Sequence, residues 1–496
     1  MTEQKVSENV MRMKMRPFLH AMKGLSPEFI PLLKTILSHV RYKRIENMTR
    51  ADVSRDIQGY ISKVYAEWKE AQNIIAHALT KRLENIKLLE DDKKQYHRLK
   101  NKREKERCIS EIGIAKIEIR ILQRSIDALI WQIFEYEHST IRRLALHDDI
   151  DNLSLKNIKD SMGYVSEMNK DPLTIAVASD LTTFVHVGDV IRQNIKDGNQ
   201  IIEIKSGEKN LAFSEAASFS INTRCPVFDD NFTGQMNTTD KKHFFRAKKQ
   251  QERLSSVEQI LETGEGHDNY HDKPVRIQDH NYIPDFFHEL IIHSWKKLRL
   301  GKLWDIHVVD ECLFIGVYEN TKIGFVGFNT WKNTTKFKGI VFNVLDSGRM
   351  MFVRPFMCLN LPVDILEDII DGKVIVVLCL DYERFFNYGN SIYPGIFKLE
   401  NTDVDSDLLS SCMHVNKLPI YSLHGGNKVY MQTGMESRIV FDFQRPRNVI
   451  DWTFKTSDLK KDAARKMHSK VKKEKMKKQM KNKQSKKMRK ANRNQK

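Results

Sequence analysis

The stretch GDVIRQNIKDGNQIIEIKSGE, residues 188–208, decides how the middle of this chain is read. Val190, Ile191, Ile201 and Ile202 are residues that favour strands, and KDGN (196–199) puts an Asp-Gly pair between two apolar runs, the signature of a β-hairpin. A buried hairpin should exclude charge, yet Asp189 stands where it begins, and Glu203 and Lys205 alternate with Ile202 and Ile204 where it ends. On a pleated strand Glu203 and Lys205 share one face and the isoleucines the other. With KDGN setting the register, Asp189 comes close to Glu203. Two carboxylates about 4 Å apart repel by roughly 4 kcal/mol at an effective dielectric near 20, so something must offset them. A Mg²⁺ ion (or Mn²⁺) does so with one or two carboxylates, keeping its other positions for water and phosphate oxygens. Lys205 would face the attacking water and the phosphate, and such a site can stabilise charge building on phosphorus.

The flanks supply the rest of a small α/β domain. PLTIAVAS (172–179) and FVHVGDVI (184–191) read as strands, the latter with a Thr183–Val185–Val187–Asp189 row on one face. A short helix over about Ser154–Met168 precedes them. Residues 209–242 read as loop with small elements, HFFRAKKQQERLSSVEQILE (243–262) as a helix, and PVRIQ (274–278) as a further strand. On that helix Gln250 falls on the apolar line Ala247–Leu254–Val257–Leu261, so it points toward the sheet, and Arg253, one turn on, could meet a phosphate.

This order resembles the PD-(D/E)XK nuclease superfamily, the restriction-endonuclease-like fold, over about residues 130–280: a strand ending in Asp, a hairpin, a Glu-x-Lys strand, then a helix and a strand. The resemblance implies that Asp189 and Glu203 bind the metal and that Lys205 positions or activates water. It also implies that Gln250 belongs to the site. Val187-Gly188-Asp189 and the Ser-Gly after Lys205 resemble the exonuclease-like branch, although Leu254 stands where that branch often has Tyr, four residues after the Gln. A further acid is expected upstream, with Glu137 and Glu167 as candidates, and Asp180 rivals Asp189 as the first carboxylate.

From Leu32 to Asp171 there is no proline and only three glycines. Ile61, Val64, Trp68, Ala71, Ile75 and Ala78 recur at helical spacing, as do Ala115, Ile119, Leu122, Ile126, Leu129 and Ile133. The polar stretch 91–107 lies between them, so a long antiparallel helical hairpin is predicted with its tip near 98–106. It spaces the domains or joins two copies of the chain. From about 282 the segments FFHELIIHSWKKLR and VDILEDIIDG read as helices, LFIGVYE, KIGFVGFNTW, GIVFNVLD and KVIVVLCL as strands, and RIVFDF (438–443) closes the folded part. The fold class is therefore α+β in several domains: a helical arm (1–147), a nuclease-like α/β domain (148–280), an α+β domain of open role (281–456) and a disordered basic tail (457–496).

The net charge of +18 belongs to that tail. Residues 459–496 hold 18 Lys and Arg against Asp462 and Glu474, which leaves +2 for the other 458 residues. Lys472, Lys473, Lys477 and Lys478 fit a phosphate-binding arm whose affinity falls with salt and reads no sequence. Its partner is expected to be nucleic acid, DNA before RNA. Mean hydropathy is −0.50 and no apolar run spans a membrane. The N-terminus lacks the apolar core of a secretory signal, and six scattered cysteines without C-x-x-C spacing speak for a reducing compartment: cytoplasmic, or nuclear in a eukaryotic source. No phosphate loop of the G-x-x-x-x-G-K type is present, and His288 and His293 stand five apart, one too many to share a helical face as a zinc pair. The leading expectation is a metal-dependent nuclease. The alternative is a non-catalytic nucleic-acid-binding scaffold built on the arm and the tail.

Overall fold

In the computed structural model the described residues are 15–19, 22–42, 49–146, 153–204, 208–225, 227–269, 272–277, 284–348, 352–401 and 405–461. Lys205 and the tail residues Lys472, Lys473, Lys477 and Lys478 lie outside them. The protein is α+β. It divides into two compact units, one of the residues up to 283 with Tyr318–Gly324 and Asn343–Val376, the other of Pro284–Val317, Phe325–Phe342 and the residues from Val377 onward.

The first unit opens with α1 (Phe29–Val40), followed by the predicted hairpin of α2 (Ile57–Arg98) and α3 (Lys102–Ile133). At 1.5 Å per residue the 42-residue α2 is about 60 Å long. The tip is tighter than expected, only residues 99–101, because Lys100 adopts φ 56° and the Asn101 side chain accepts the Glu104 N–H at 3.2 Å, capping α3 at once. Both apolar stripes are used within the chain: Ala71, Ile75, Leu122, Ile126 and Leu129 are fully buried.

The arm is not a separate domain. It belongs to the same unit as the sheet that follows α4 (Leu155–Met168), and α2 holds that sheet directly. Gln72 Nε2 donates to the Ala176 carbonyl at 3.0 Å, while Gln72 Oε1 accepts the Ala178 N–H at 3.0 Å. The buried amide thus completes two backbone groups that no strand reaches. The sheet is β1 (Thr174–Ala178), β2 (Val190–Asn194) and β3 (Gly198–Ile202), antiparallel in that order. Gly198, at φ 75°, closes the predicted turn with the left-handed residue it needs.

Residues 209–242 correct the loop expectation. They form α5 (Glu208–Thr223) and α6 (Phe228–Thr233) ahead of α7 (Thr238–Thr263). Phe213, Ala216, Ala217 and Ser220 are buried at helical spacing, and the first three pack with Phe244. The frequent Ser, Asn and Thr hide this stripe from a reading by propensity. The strand after α7 also differs in its partner: β4 (Glu265–Asp268) and β5 (Lys273–Arg276) make their own two-stranded ladder and do not extend the three-stranded sheet.

The second unit begins with α8 (His288–Arg299). Its main sheet has the order β6-β7-β9-β8, formed by β6 (Trp304–Val309), β7 (Leu313–Tyr318), β8 (Ile340–Asn343) and β9 (Ile375–Leu380). LFIGVY and IVVLCL are buried at every position, as central strands covered on both faces must be. KIGFVGFNTW is instead the helix α9 (Thr321–Thr334), started by the Asn320 side chain, which accepts the N–H groups of Lys322 and Ile323. Its β-branched and aromatic residues suit a strand, but the cap and the packing override propensity. The predicted helix over VDILEDIIDG is present as α10 (Val363–Ile370), which belongs to the first unit. Of the closing segment RIVFDF the first three residues end a helix, α11 (Thr433–Val440), and Phe441–Phe443 lie beyond it.

Glu436 on α11 is 7% exposed and accepts the Tyr382 hydroxyl at 2.8 Å. Burial pushes its carboxyl up to about 7, against a smaller lowering by the tyrosine. The folded chain therefore holds a proton that the unfolded chain releases near pH 4.5. Stability is full below that pH and is lost, on the order of 3 kcal/mol, as pH rises through about 7. Urea unfolding of wild type and Glu436→Gln between pH 5 and 8 checks this: the wild type should lose stability over that window and the variant should not.

Candidate active site

The site grows from the end of the three-stranded sheet. The expected strand over 184–191 is only β2, from Val190. Residues 182–189 are an irregular buried segment whose polar groups are met by α3 and by short-range contacts. Asp127 Oδ1 accepts the Thr183 N–H at 2.8 Å and Asp127 Oδ2 accepts the Thr183 hydroxyl at 2.5 Å, while Gln123 Nε2 donates to the Thr182 carbonyl at 3.1 Å. His186 N–H donates to the Leu144 carbonyl at 2.8 Å. With its backbone bonded this way the segment needs no neighbouring strand, so the Thr183–Asp189 row on one sheet face is not formed.

Asp189 makes three hydrogen bonds, one of them to β3. Its N–H donates to the Ile202 carbonyl at 2.8 Å and its Oδ2 accepts the Ile204 N–H at 2.5 Å; its carbonyl, on the other side, accepts the Ser179 N–H at 2.9 Å. Val190 is the register partner of Ile202. Asp189 is therefore an extra residue opposite Ile202, a bulge of the kind that re-aims a side chain. Glu203 lies between two residues bonded to Asp189, which holds the two acids side by side, although β3 itself ends at Ile202. Lys205 follows outside the described residues.

Gly188 makes the bulge possible. Its φ is 78°, and a Cβ there would stand 2.3 Å from Ile201 Cγ2. Gly188→Ala should lower stability by about 1–3 kcal/mol and displace Asp189. Chemical denaturation checks it, and an unchanged midpoint would contradict the tight approach of this turn to β3.

Asp189, Glu203 and Gln250 line one cavity of about 310 Å³. Three separate segments thus bring together the residues singled out from the sequence. α7 contributes His243, Arg246, Ala247 and Gln250, spaced i, i+3, i+4 and i+7 on one face, and Asn210 enters from the first turn of α5. Arg253 does not line the cavity; it lies a turn too far along α7, and its carbonyl accepts Asn269 Nδ2 at 3.4 Å. Helical side chains lean back toward the N-terminus, so the residues four and seven before Gln250 line the cavity with it, while Arg253, three after it, does not. Asp180 accepts the Ser161 hydroxyl at 2.7 Å, Glu167 pairs with Lys170 and Glu137 accepts the Ser139 hydroxyl. None of these three acids lines the cavity.

Two carboxylates meet the number that Mg²⁺ takes from protein. Among the described residues no group of three or more His, Cys, Asp or Glu is arranged to hold a metal, so a closed cage of the structural-zinc kind is not built from them. A larger cavity of about 890 Å³ lies beside the middle of the hairpin, where Arg82 Nε meets Glu118 Oε2 at 2.7 Å. Glu118 also accepts the Ser26 N–H at 2.7 Å and the Ser26 hydroxyl at 2.5 Å. This pair is satisfied within the chain and holds the helices together. In the second unit Ser294, Asp305 and His307 imitate a hydrolase triad. His307 Nε2 alone faces both Ser294 Oγ (2.8 Å) and Asp305 Oδ2 (3.1 Å), whereas a triad needs the two ring nitrogens to face opposite partners, and Ser294 is fully buried. It locks α8 to β6.

Among the described residues no helix is long and apolar enough to cross a membrane. No protein-family model matches the chain, no curated protein matches its sequence and no solved structure matches its fold.

Proposed function

We propose that the first unit is a Mg²⁺-dependent nuclease that hydrolyses phosphodiester bonds, with DNA as the favoured substrate. The observation that carries the reading is the meeting of Asp189, Glu203 and Gln250, from a bulge, a strand end and a helix, around one cavity. Asp189 and Glu203 would hold the ion, which when bound supplies Lewis-acid polarisation and charge neutralisation at phosphorus. The chain's own groups do the rest. Hydrogen bonds from Ile204 to the Asp189 carboxylate and from Asp189 to Ile202 fix Asp189 before substrate arrives, so this acid needs little reorganisation as charge builds. Gln250 is a neutral donor and acceptor for a phosphate oxygen or for the attacking water. In the reaction a water oxygen bonds to phosphorus, the sugar–oxygen bond to phosphorus breaks, and the water's proton passes to solvent while the leaving oxygen takes one up. Lys205, outside the described residues, would orient that water. The lysine-rich tail would add affinity without sequence preference.

The test is incubation of the full chain with supercoiled and linear DNA and with RNA, in Mg²⁺ and then in chelator. Cleavage that chelator abolishes supports the reading. Binding without cleavage in Mg²⁺ favours the scaffold alternative.

A further inference from the structure

We infer that Arg246, with His243 one turn before it, is the phosphate grip of this site, and that the ligand it selects is the phosphodiester of a nucleic-acid strand. The inference deepens the nuclease reading and rests on it for the placement of the reacting bond.

Arg246 and His243 are exposed on the face of α7 that lines the cavity, opposite Asp189 and Glu203 in composition: one wall carries anions, the other cationic and donor groups. Some of the charges on and around α7 are committed to one another. Lys248 pairs with Asp229, and Asp240 pairs with Lys209 at 2.6 Å. Among the described residues Arg246 makes no ion pair, although two carboxylates line the same cavity. A guanidinium that faces a cavity with acids yet bonds to none of them is available to what enters. Its planar fork matches two oxygens of a phosphate, which Lys would meet only as a point charge. The imidazole of His243 adds a donor one turn away on the same face.

The cavity argues for a strand and not for an enclosed metabolite. At about 310 Å³ it is at the small end of ligand pockets, and Asp189, Glu203, Asn210, His243, Arg246 and Gln250 give it a polar lining where small-molecule sites are mostly apolar. It suits one phosphate and its immediate surroundings, with the rest of the polymer outside.

The test uses the full chain and a fluorescent 12-nucleotide single-stranded DNA in chelator, so that no hydrolysis contributes. Anisotropy across a salt series is compared for wild type, Arg246→Gln, Arg246→Lys and Lys241→Gln. Lys241→Gln removes the same charge from the opposite side of α7, five residues away. The expected result is about tenfold weaker binding for Arg246→Gln, with the slope of log affinity against log salt smaller by about 0.7–1. Arg246→Lys should keep the slope but not the full affinity, and Lys241→Gln should behave as wild type. Thermal melting guards against unfolding. Equal effects of Arg246→Gln and Lys241→Gln, or no effect of either, overturn the grip. The two claims separate cleanly: cleavage in Mg²⁺ with binding indifferent to Arg246 removes the grip and leaves the nuclease, and Arg246-dependent binding without cleavage does the reverse.

Discussion

Glu203→Gln is expected to lower Mg²⁺-dependent cleavage at least about a hundredfold, the scale of removing one group that stabilises transition-state charge, while the melting temperature stays within a few degrees of wild type. The substitution keeps the size and hydrogen-bonding shape of the side chain and removes only its charge. Glu203 is half-buried just past the end of β3, not in the core, so its neutral isostere should cost the fold little. Asp189→Asn should give the same loss of cleavage with a larger loss of stability, because Asp189 Oδ2 also accepts the Ile204 N–H. The pair of variants separates chemistry from architecture: a common fall in rate with unequal falls in stability. Full cleavage by both variants would remove the metal role of these acids.

The largest structural effect is expected at Asp127→Ala, 3–5 kcal/mol of lost stability, the range for leaving a buried charge without its partner. Arg124 is 2% exposed and Asp127 fully buried, joined at 2.8 Å. Arg124 also donates to the Val353 carbonyl at 2.6 Å and the Ser347 carbonyl at 3.2 Å. Asp127 holds Thr183 through both its oxygens, at the start of the segment that leads to Asp189. Removing the acid strands a guanidinium and frees that segment together. Replacing both partners, Arg124→Met with Asp127→Leu, should cost less than Asp127→Ala alone, since no unpaired charge then remains. Urea denaturation measures this, and a loss below about 1 kcal/mol for Asp127→Ala would mean the pair does not organise the approach to the site.

The legibility of the fold follows from how each element is stabilised. The hairpin of α2 and α3 was visible because its stripes repeat over many turns without a proline, and length makes the 3.6-residue period unambiguous. The hairpin of β2 and β3 was visible through its Asp-Gly turn. Residues 182–189 were not, because Asp127 and Gln123, some 55–60 positions away, satisfy their backbone, and a strand reading sees only the valines. α9 was misread because its evidence lies in one capping residue, Asn320, and not in its composition. Asp189 and Glu203 are brought to notice by the Asp-Gly turn between them, and Gln250 by the resemblance. His243 and Arg246 could not be chosen over Arg253 until the direction of approach to α7 was known.

The central claim is that Asp189 and Glu203 jointly bind one divalent ion. Titration of Mn²⁺ into the chain, followed by the loss of the free-ion paramagnetic resonance signal, tests it without any assumption about substrate. One site in wild type that is lost in Glu203→Gln and in Asp189→Asn is the predicted result. Identical Mn²⁺ binding in all three proteins, or none in the wild type, would contradict it.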